Sequence, residues 1–201
     1  MTRLISIPPR TEEVRQELLN IIDQESVHLQ ESISEAIELA RIESRELHLE
    51  PEFLDAGEIV QTALAQTRDE DRQRYSIEAR DGMPVHADRS LMRRALLQVI
   101  ENARKYAAPG SPIRIEVRAQ GGDITIAVLD RGPGINPDEM EQIFEKFYRG
   151  RGARDRVEGT GMGLAIAKGI IEAHGGAIRA ENRADGGAAV LLTLPRAAAQ
   201  S

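Results

Sequence analysis

The stretch Ile113-Arg-Ile-Glu-Val-Arg-Ala-Gln-Gly-Gly-Asp-Ile-Thr-Ile-Ala-Val-Leu-Asp-Arg-Gly-Pro-Gly134 decides the fold. Apolar side chains fall at positions 113, 115 and 117 and again at 124, 126 and 128, the period-two alternation of strands with one face in a core. Gly121-Gly122-Asp123 between the runs supplies turn chemistry, so the two runs read as a β-hairpin. Downstream, Ala177–Asn182 and Ala189–Leu194 flank Gly186-Gly187 and repeat the pattern. Helical periodicity fills the gaps. It runs from Arg89 to about Ala107 behind the candidate cap Asp88, from Leu164 to His174, and over Ile59, Val60, Ala63 and Leu64 behind the candidate cap Asp55. A short helix is expected near Pro137–Phe144, and extended pieces at Tyr75–Arg80 and Val85–Ala87. This order is neither a βαβ alternation nor all-β. Hairpins with helices on one side predict an α/β fold, a two-layer sandwich of a mixed, mainly antiparallel sheet and helices.

Upstream, no Gly or Pro occurs between Thr11 and about Glu46, and Val14, Leu18, Ile21, Ile22, Leu29, Ile33, Ile37 and Ala40 recur mostly three or four apart. One long amphipathic helix is predicted, capped by Thr11 and stopped before Pro51. At 1.5 Å per residue it would be roughly 50 Å long, more than a small domain covers, so pairing with other helices is expected. Folding back on the same domain is the alternative.

The 201 residues carry 41% hydrophobic side chains, enough for a core, and no cysteine or tryptophan. The absence of Cys excludes disulfide scaffolds, thiolate zinc sites and cysteine nucleophiles, and fits a cytosolic chain. No apolar run approaches the ~20 residues that cross a bilayer, so a soluble, cytoplasmic segment without membrane contact is expected. A net charge of −7 disfavours nucleic acid as a partner. The acid is concentrated in residues 1–56, with five basic against thirteen acidic residues, whereas Lys146, Arg149, Arg151, Arg154 and Arg156 cluster with Asp155 as their one acidic neighbour. A basic loop on a balanced domain points to a small polyanion. Because Arg149–Gly159 lacks periodicity and carries like charges, it is expected to be a mobile lid.

Three motifs carry candidate chemistry. Gln98, Asn102, Lys105 and Tyr106 share one face of the helix that starts at Arg89, a polar stripe on an otherwise apolar element. Taken alone, a solvated face explains it as well as a ligand site. Asp130-Arg-Gly-Pro-Gly134 ends a strand with a carboxylate and a Gly-x-Gly, which by itself reads first as a turn. Gly159-Thr-Gly-Met-Gly163 opens a helix, where dipole and free amides favour an anion. No Gly-Lys-Ser/Thr follows as in a Walker loop, and the glycines do not follow a first βα strand as in a dinucleotide fold.

Together, Asn102, Asp130-x-Gly-x-Gly134, Phe144-Glu-Lys-Phe-Tyr-Arg149 and Gly159-x-Gly-x-Gly163 resemble the N, G1, F and G2 boxes of the ATP-binding domain of sensor histidine kinases, whose Bergerat-type fold is shared with DNA gyrase and the heat-shock chaperone ATPases. Ala40-Arg-Ile-Glu-Ser44 and Leu47-His-Leu-Glu-Pro51 resemble the end of that family's second dimerisation helix and its linker. The run Phe144–Gly150, with Glu172-Ala-His-Gly-Gly176, Glu181-Asn-Arg183 and Gly186-Gly187, is similar to the potassium-sensing Kdp-type sensor kinases. The resemblance implies a helix and linker at 1–50, a catalytic domain at 51–196 and a tail at 197–201. It implies ATP and Mg²⁺ as cofactors. Asp130 would accept the adenine amine; Gly132 and Gly134 would let the base approach, with Ile135 beside it. Asn102 and Gln98 would hold Mg²⁺. Lys105, Lys146 and Arg149 would neutralise phosphate, and Gly159, Thr160, Gly161, Met162, Gly163 and Leu164 would cradle it. The catalytic set would be Asn102, Lys105 and Arg149, with Tyr106 near the adenine and Phe144 and Phe147 anchoring the lid to the core.

The sequence departs from the family twice. Gln98 stands where the family usually has Asn and the gyrase-like ATPases a Glu; an amide cannot take a proton from water, so autonomous hydrolysis is disfavoured. None of His28, His48, His86 or His174 has the phospho-acceptor context, and His28 reads as an ordinary helix residue. The implied activity is therefore transfer of the γ-phosphate to a histidine outside this chain. The implied partners are a phospho-acceptor dimerisation domain and a response regulator, within a homodimeric full-length kinase. An anti-sigma-type serine kinase and a non-catalytic nucleotide-gated binding module are the alternatives.

Overall fold

The computed structural model describes residues 12–44, 46–67, 69–80, 82–150 and 159–197. The expected lid falls largely on residues 151–158, outside the described residues, as does the expected cap Thr11. Helix α1 (Glu12–Glu43) leads to strand β1 (Glu52–Asp55) and helix α2 (Ala56–Leu64), and a 3-10 turn (Asp69–Arg74) precedes β2 (Tyr75–Ala79) and β3 (Pro84–Ala87). Helix α3 (Arg89–Tyr106) is followed by the hairpin β4 (Ile113–Gln120) and β5 (Asp123–Leu129). Two 3-10 turns, Pro137–Glu139 and Gln142–Phe144, stand where one short helix was expected. Helix α4 (Gly163–Ala173) and the hairpin β6 (Ala177–Asn182) and β7 (Ala188–Pro195) complete the chain.

The five-stranded sheet has the order β2-β4-β5-β7-β6, with β2 parallel to β4 and every other pair antiparallel. Alternation decides its faces. Ile113, Ile115 and Val117 of β4, Ile124, Ile126 and Val128 of β5, and Val190, Leu192 and Leu194 of β7 all lie in the core. The helices close that core with Ile59 and Val60 of α2, Met92, Leu96, Val99 and Ile100 of α3, and Ile166, Ala167, Ile170 and Ile171 of α4. Both expected caps are present. The Asp55 side chain accepts from Gly57 N at the start of α2, and Asp88 accepts from Ser90 N and Leu91 N at the start of α3. Asp88 also accepts from Glu50 N (3.0 Å), and its own amide donates to His174 Nε2 (3.0 Å), so this one buried residue joins the linker and α3 through its carboxylate and the end of α4 through its amide.

The expected pieces omit β1, which pairs antiparallel with β3 as a separate ribbon, Leu54 facing Val85. The expected stripe of α1 stays largely outside: Val14, Ile21, Ile22, Leu29, Ile33 and Ile37 are exposed, and so is Ala40, while Leu18 is half-buried. A different face docks. Leu39 is buried, Ile42 lies against Gly169 of α4, Glu38 pairs with Arg94 of α3, and Glu43 pairs with Lys146. Burial pushes the Glu38 carboxyl up, against the pull of the Arg94 guanidinium. The C-terminal part of α1 thus folds back on the domain while the stripe nearer its N-terminus remains unpartnered among the described residues. His28 lies on this helix, and its side chain is outside the described part.

Candidate functional site

A cleft of about 580 Å³ opens between α3, the segment after β5, the start of α4 and the start of β7. The α3 polar stripe lines it because the opposite face of that helix, Met92 to Ala103, is locked in the core. Gln98, Asn102, Lys105 and Tyr106 are brought together with Asp130, Gly134, Ile135, Arg149, Gly159, Thr160, Gly161, Gly163 and Leu164.

At one end stands Asp130, 6% exposed. Its Oδ1 accepts from Gly132 N (2.7 Å) and Ala188 N (3.2 Å), its amide donates to Ala188 O (2.9 Å), and its carbonyl accepts from Arg183 Nη1 (2.7 Å). Oδ2 carries no hydrogen bond among the described residues and is left for the cleft. The carboxylate is therefore oriented before any ligand arrives, an acceptor in a water-poor setting. Gly187 makes the arrangement possible: its φ is +89°, and a Cβ there would run into the Asp130 carbonyl. Asn182 fixes the neighbouring wall. Its Oδ1 accepts from Ile135 N and its Nδ2 donates to Ile135 O, both at 2.7 Å.

At the other end α4 begins at Gly163 with no side-chain cap and no acid in its first turn. Amides without partners among the described residues, together with the helix dipole, suit this end to an anion. Lys105 reaches toward it; a Cβ on Gly159 would lie 3.3 Å from Lys105 Nζ, and Lys105 has no ion pair among the described residues. Between the ends, the Asn102 amide makes no hydrogen bond among the described residues and offers a hard oxygen donor, which fits a small divalent cation carried with a polyanion. No group of three or more His, Cys, Asp or Glu able to hold a metal occurs among the described residues. Tyr106 is half-buried; burial pushes its phenol up while the Arg149 guanidinium pulls it down. Glu101 on the cleft wall is paired by Arg104 at 2.8 Å.

Several expected site residues sit elsewhere. Lys146 is outside the cleft lining, because it is ion-paired to Glu43 of α1. Met162 is 4% exposed and packs in the core, since the turn into α4 points it inward. Gly132 is not in the lining; a Cβ there would lie 2.5 Å from the Tyr106 carbonyl, so it serves the packing of the segment against α3. Gln98 lines the cleft, but its Nε2 donates to Glu35 Oε1 (3.3 Å) and its Oε1 lies against Gly163, which commits it away from a metal in this arrangement. Phe144 is buried as expected, whereas Phe147 is 65% exposed with φ 59° and is not part of the core. Sequence reasoning did not single out Glu35, Asn182, Arg183 or Gly187 as site residues. The last three lie in the last hairpin, where Asn-Arg and Gly-Gly marked a turn and a family resemblance but no site; Glu35 carries no local signal.

The family model of histidine kinase-, DNA gyrase B- and HSP90-like ATPases matches residues 87–198. The sensor protein KdpD of Escherichia coli (strain K12) is 34% identical over 185 residues, covering 92% of this chain and 20% of that protein. The sensor-like histidine kinase SenX3 of Mycolicibacterium smegmatis is 35% identical over 175 residues, covering 85% of this chain and 46% of that protein. The chain thus spans a fifth of one relative and just under half of the other. Among solved structures, the mycobacterial sensor histidine kinase MprB matches with a TM-score of 0.61 at 30% identity, over 73% of this chain and 97% of that one. The histidine kinase ThkA in complex with the response regulator protein TrrA matches with a TM-score of 0.73 at 25% identity, over 95% of this chain and 53% of that one.

Proposed function

Because the chain belongs to the histidine kinase-, DNA gyrase B- and HSP90-like ATPase family, and its relatives are bacterial sensor histidine kinases, we propose that it binds Mg-ATP and donates the γ-phosphoryl group to a histidine outside the chain. The observation that carries this reading is the polarity of the cleft: an oriented carboxylate oxygen at one end, and at the other uncapped helix amides with a lysine that has no ion pair among the described residues. Asp130 Oδ2 accepts the adenine amine, Gly134 and Ile135 form the wall that Asn182 fixes, and Tyr106 packs beside the base. Lys105, Arg149 and the amides of Gly161, Gly163 and Leu164 hold the phosphates. Asn102 would hold Mg²⁺, which when bound neutralises phosphate charge. Positioning and electrostatics are what phosphoryl transfer chiefly asks of the protein.

A division at about Pro51 between helix with linker and catalytic domain is part of this reading, as is a place for α1 in a dimerisation bundle, which the exposed stripe of Val14, Ile21, Ile22, Leu29 and Ile33 supports. The acceptor domain, a response regulator and a second kinase subunit are its partners. No helix among the described residues is long and apolar enough to cross a membrane, which accords with a cytoplasmic part of a sensor. A nucleotide-gated module without catalysis is the second reading, favoured by the engagement of Gln98 with Glu35. Radiolabelled ATP with a supplied acceptor domain decides. Acid-labile label on the acceptor's histidine is expected; nucleotide binding without transfer to any supplied acceptor would favour the module.

A further inference from the structure

Among the described residues, Glu35 is the only α1 side chain in the lining of the cleft. Its place follows from the docking face. Glu35, Glu38, Leu39 and Ile42 are spaced i, i+3, i+4 and i+7, so they share one side of the helix, and the packing of Leu39 and Ile42 with the Glu38–Arg94 pair carries Glu35 over the start of α4. There Glu35 Oε2 accepts from Thr160 Oγ1 at 2.5 Å and Oε1 accepts from Gln98 Nε2 at 3.3 Å. Gln98 lies eight residues before Tyr106 on α3, about 12 Å along the axis at 1.5 Å per residue. The Tyr106 carbonyl adjoins Gly132, next to Asp130. Glu35 therefore occupies the end of the cleft remote from the oriented Asp130 carboxylate, beside the uncapped amides of α4.

The uncapped amides at that end favour an anion. With α1 docked, a side-chain carboxylate already sits there and holds two donors, the Thr160 hydroxyl and the Gln98 amide. We propose that Glu35 is an internal competitor for the terminal phosphate of the nucleotide, so that docking of α1 and occupancy by a triphosphate oppose one another. This rests on the proposed nucleotide function of the cleft and adds its regulation by α1. An incoming γ-phosphate meets like charge and loses the two donors; displacing Glu35 removes the first penalty and returns both donors. The coupling is reciprocal: a triphosphate loosens α1, and release of α1 tightens the triphosphate. Adenosine, with no charge to contest, is indifferent to Glu35.

The test is calorimetry on the full 201-residue chain and on Glu35→Gln, each titrated with adenosine and with a non-hydrolysable Mg-ATP analogue. Glutamine keeps the volume and leaves Leu39 and Ile42 packed. Glu35→Gln is expected to bind the analogue at least about fivefold more tightly, the lower range of coupling between sites, with adenosine affinity unchanged. In the unaltered chain, the analogue should speed hydrogen exchange over residues 32–43, a readout that needs no substitution. Equal analogue affinity in the two proteins, with exchange in α1 unmoved, would overturn the proposal. Weaker binding by Glu35→Gln would also overturn it, because Glu35 would then help to hold the ligand. Adenosine and analogue failing to bind either protein would refute the nucleotide reading itself, and the competitor with it.

Discussion

Asp130→Asn is the most informative single change, because the structure fixes how the new amide must lie. Oδ1 of Asp130 accepts from two backbone amides, Gly132 N and Ala188 N. Asparagine can satisfy both only by placing its own oxygen there, which puts its NH₂ where Oδ2 now stands. An acceptor becomes a donor facing a donor, the adenine amine. A hydrogen bond to a charged group contributes about 1.5–3 kcal/mol, and about 1.4 kcal/mol is a tenfold change in affinity, so ADP should bind roughly one to two decades more weakly. The retained backbone bonds should keep the melting temperature close to that of the parent. The same geometry predicts a change of preference: an inosine nucleotide carries an acceptor where adenine has its amine, so it should gain on ADP in the variant. Calorimetry with both ligands is the assay. Unchanged ADP affinity, or a loss that is equal for ADP and the inosine nucleotide, would refute the role given to Asp130.

Gly187→Ala puts a Cβ into the Asp130 carbonyl at a φ of +89°, so it should cost about 1–3 kcal/mol in urea denaturation and weaken adenosine binding without any change at the phosphate end. Lys105→Ala should weaken ADP and flatten the salt dependence of its binding while leaving adenosine affinity intact, which titrations at two ionic strengths would show. For Asp88, burial pushes the carboxyl up, but the amides of Glu50, Leu91 and Ser90 outweigh it and hold the group below the usual carboxylate range. Its folded pKa is thus lower than its unfolded one, and its contribution to stability is complete above about pH 4 and lost as pH falls through the folded value. Asp88→Asn should be about 1–2 kcal/mol less stable at neutral pH, with the gap to the parent closing in denaturation series run below pH 4.

What was legible in the sequence was local. The hairpin of β4 and β5, the hairpin of β6 and β7, and the core face of α3 follow from periods of two and 3.6 residues, and Asp55 and Asp88 cap helices because short carboxylates satisfy free amides one turn in. The polar stripe of α3, the Asp130 turn and the glycines before α4 were legible as motifs, and the fold brings them to one cleft. Tertiary structure decided what depends on partners distant in sequence. Strand β1 is four residues without a burial rhythm of its own and exists through its pairing with β3. The periodic stripe of α1 marked one amphipathic face, yet the domain takes the adjacent face, where Leu39 is buried and Ile42 meets a glycine on α4. Lys146 was one cation in a basic run until Glu43, brought near by that docking, claimed it. Glu35 reads in the sequence as one acid among many on an acidic helix, and its partners Gln98 and Thr160 lie 63 and 125 residues away. Periodicity records which way a side chain points from its own element; which surface it then meets is set by packing, which a local pattern does not contain.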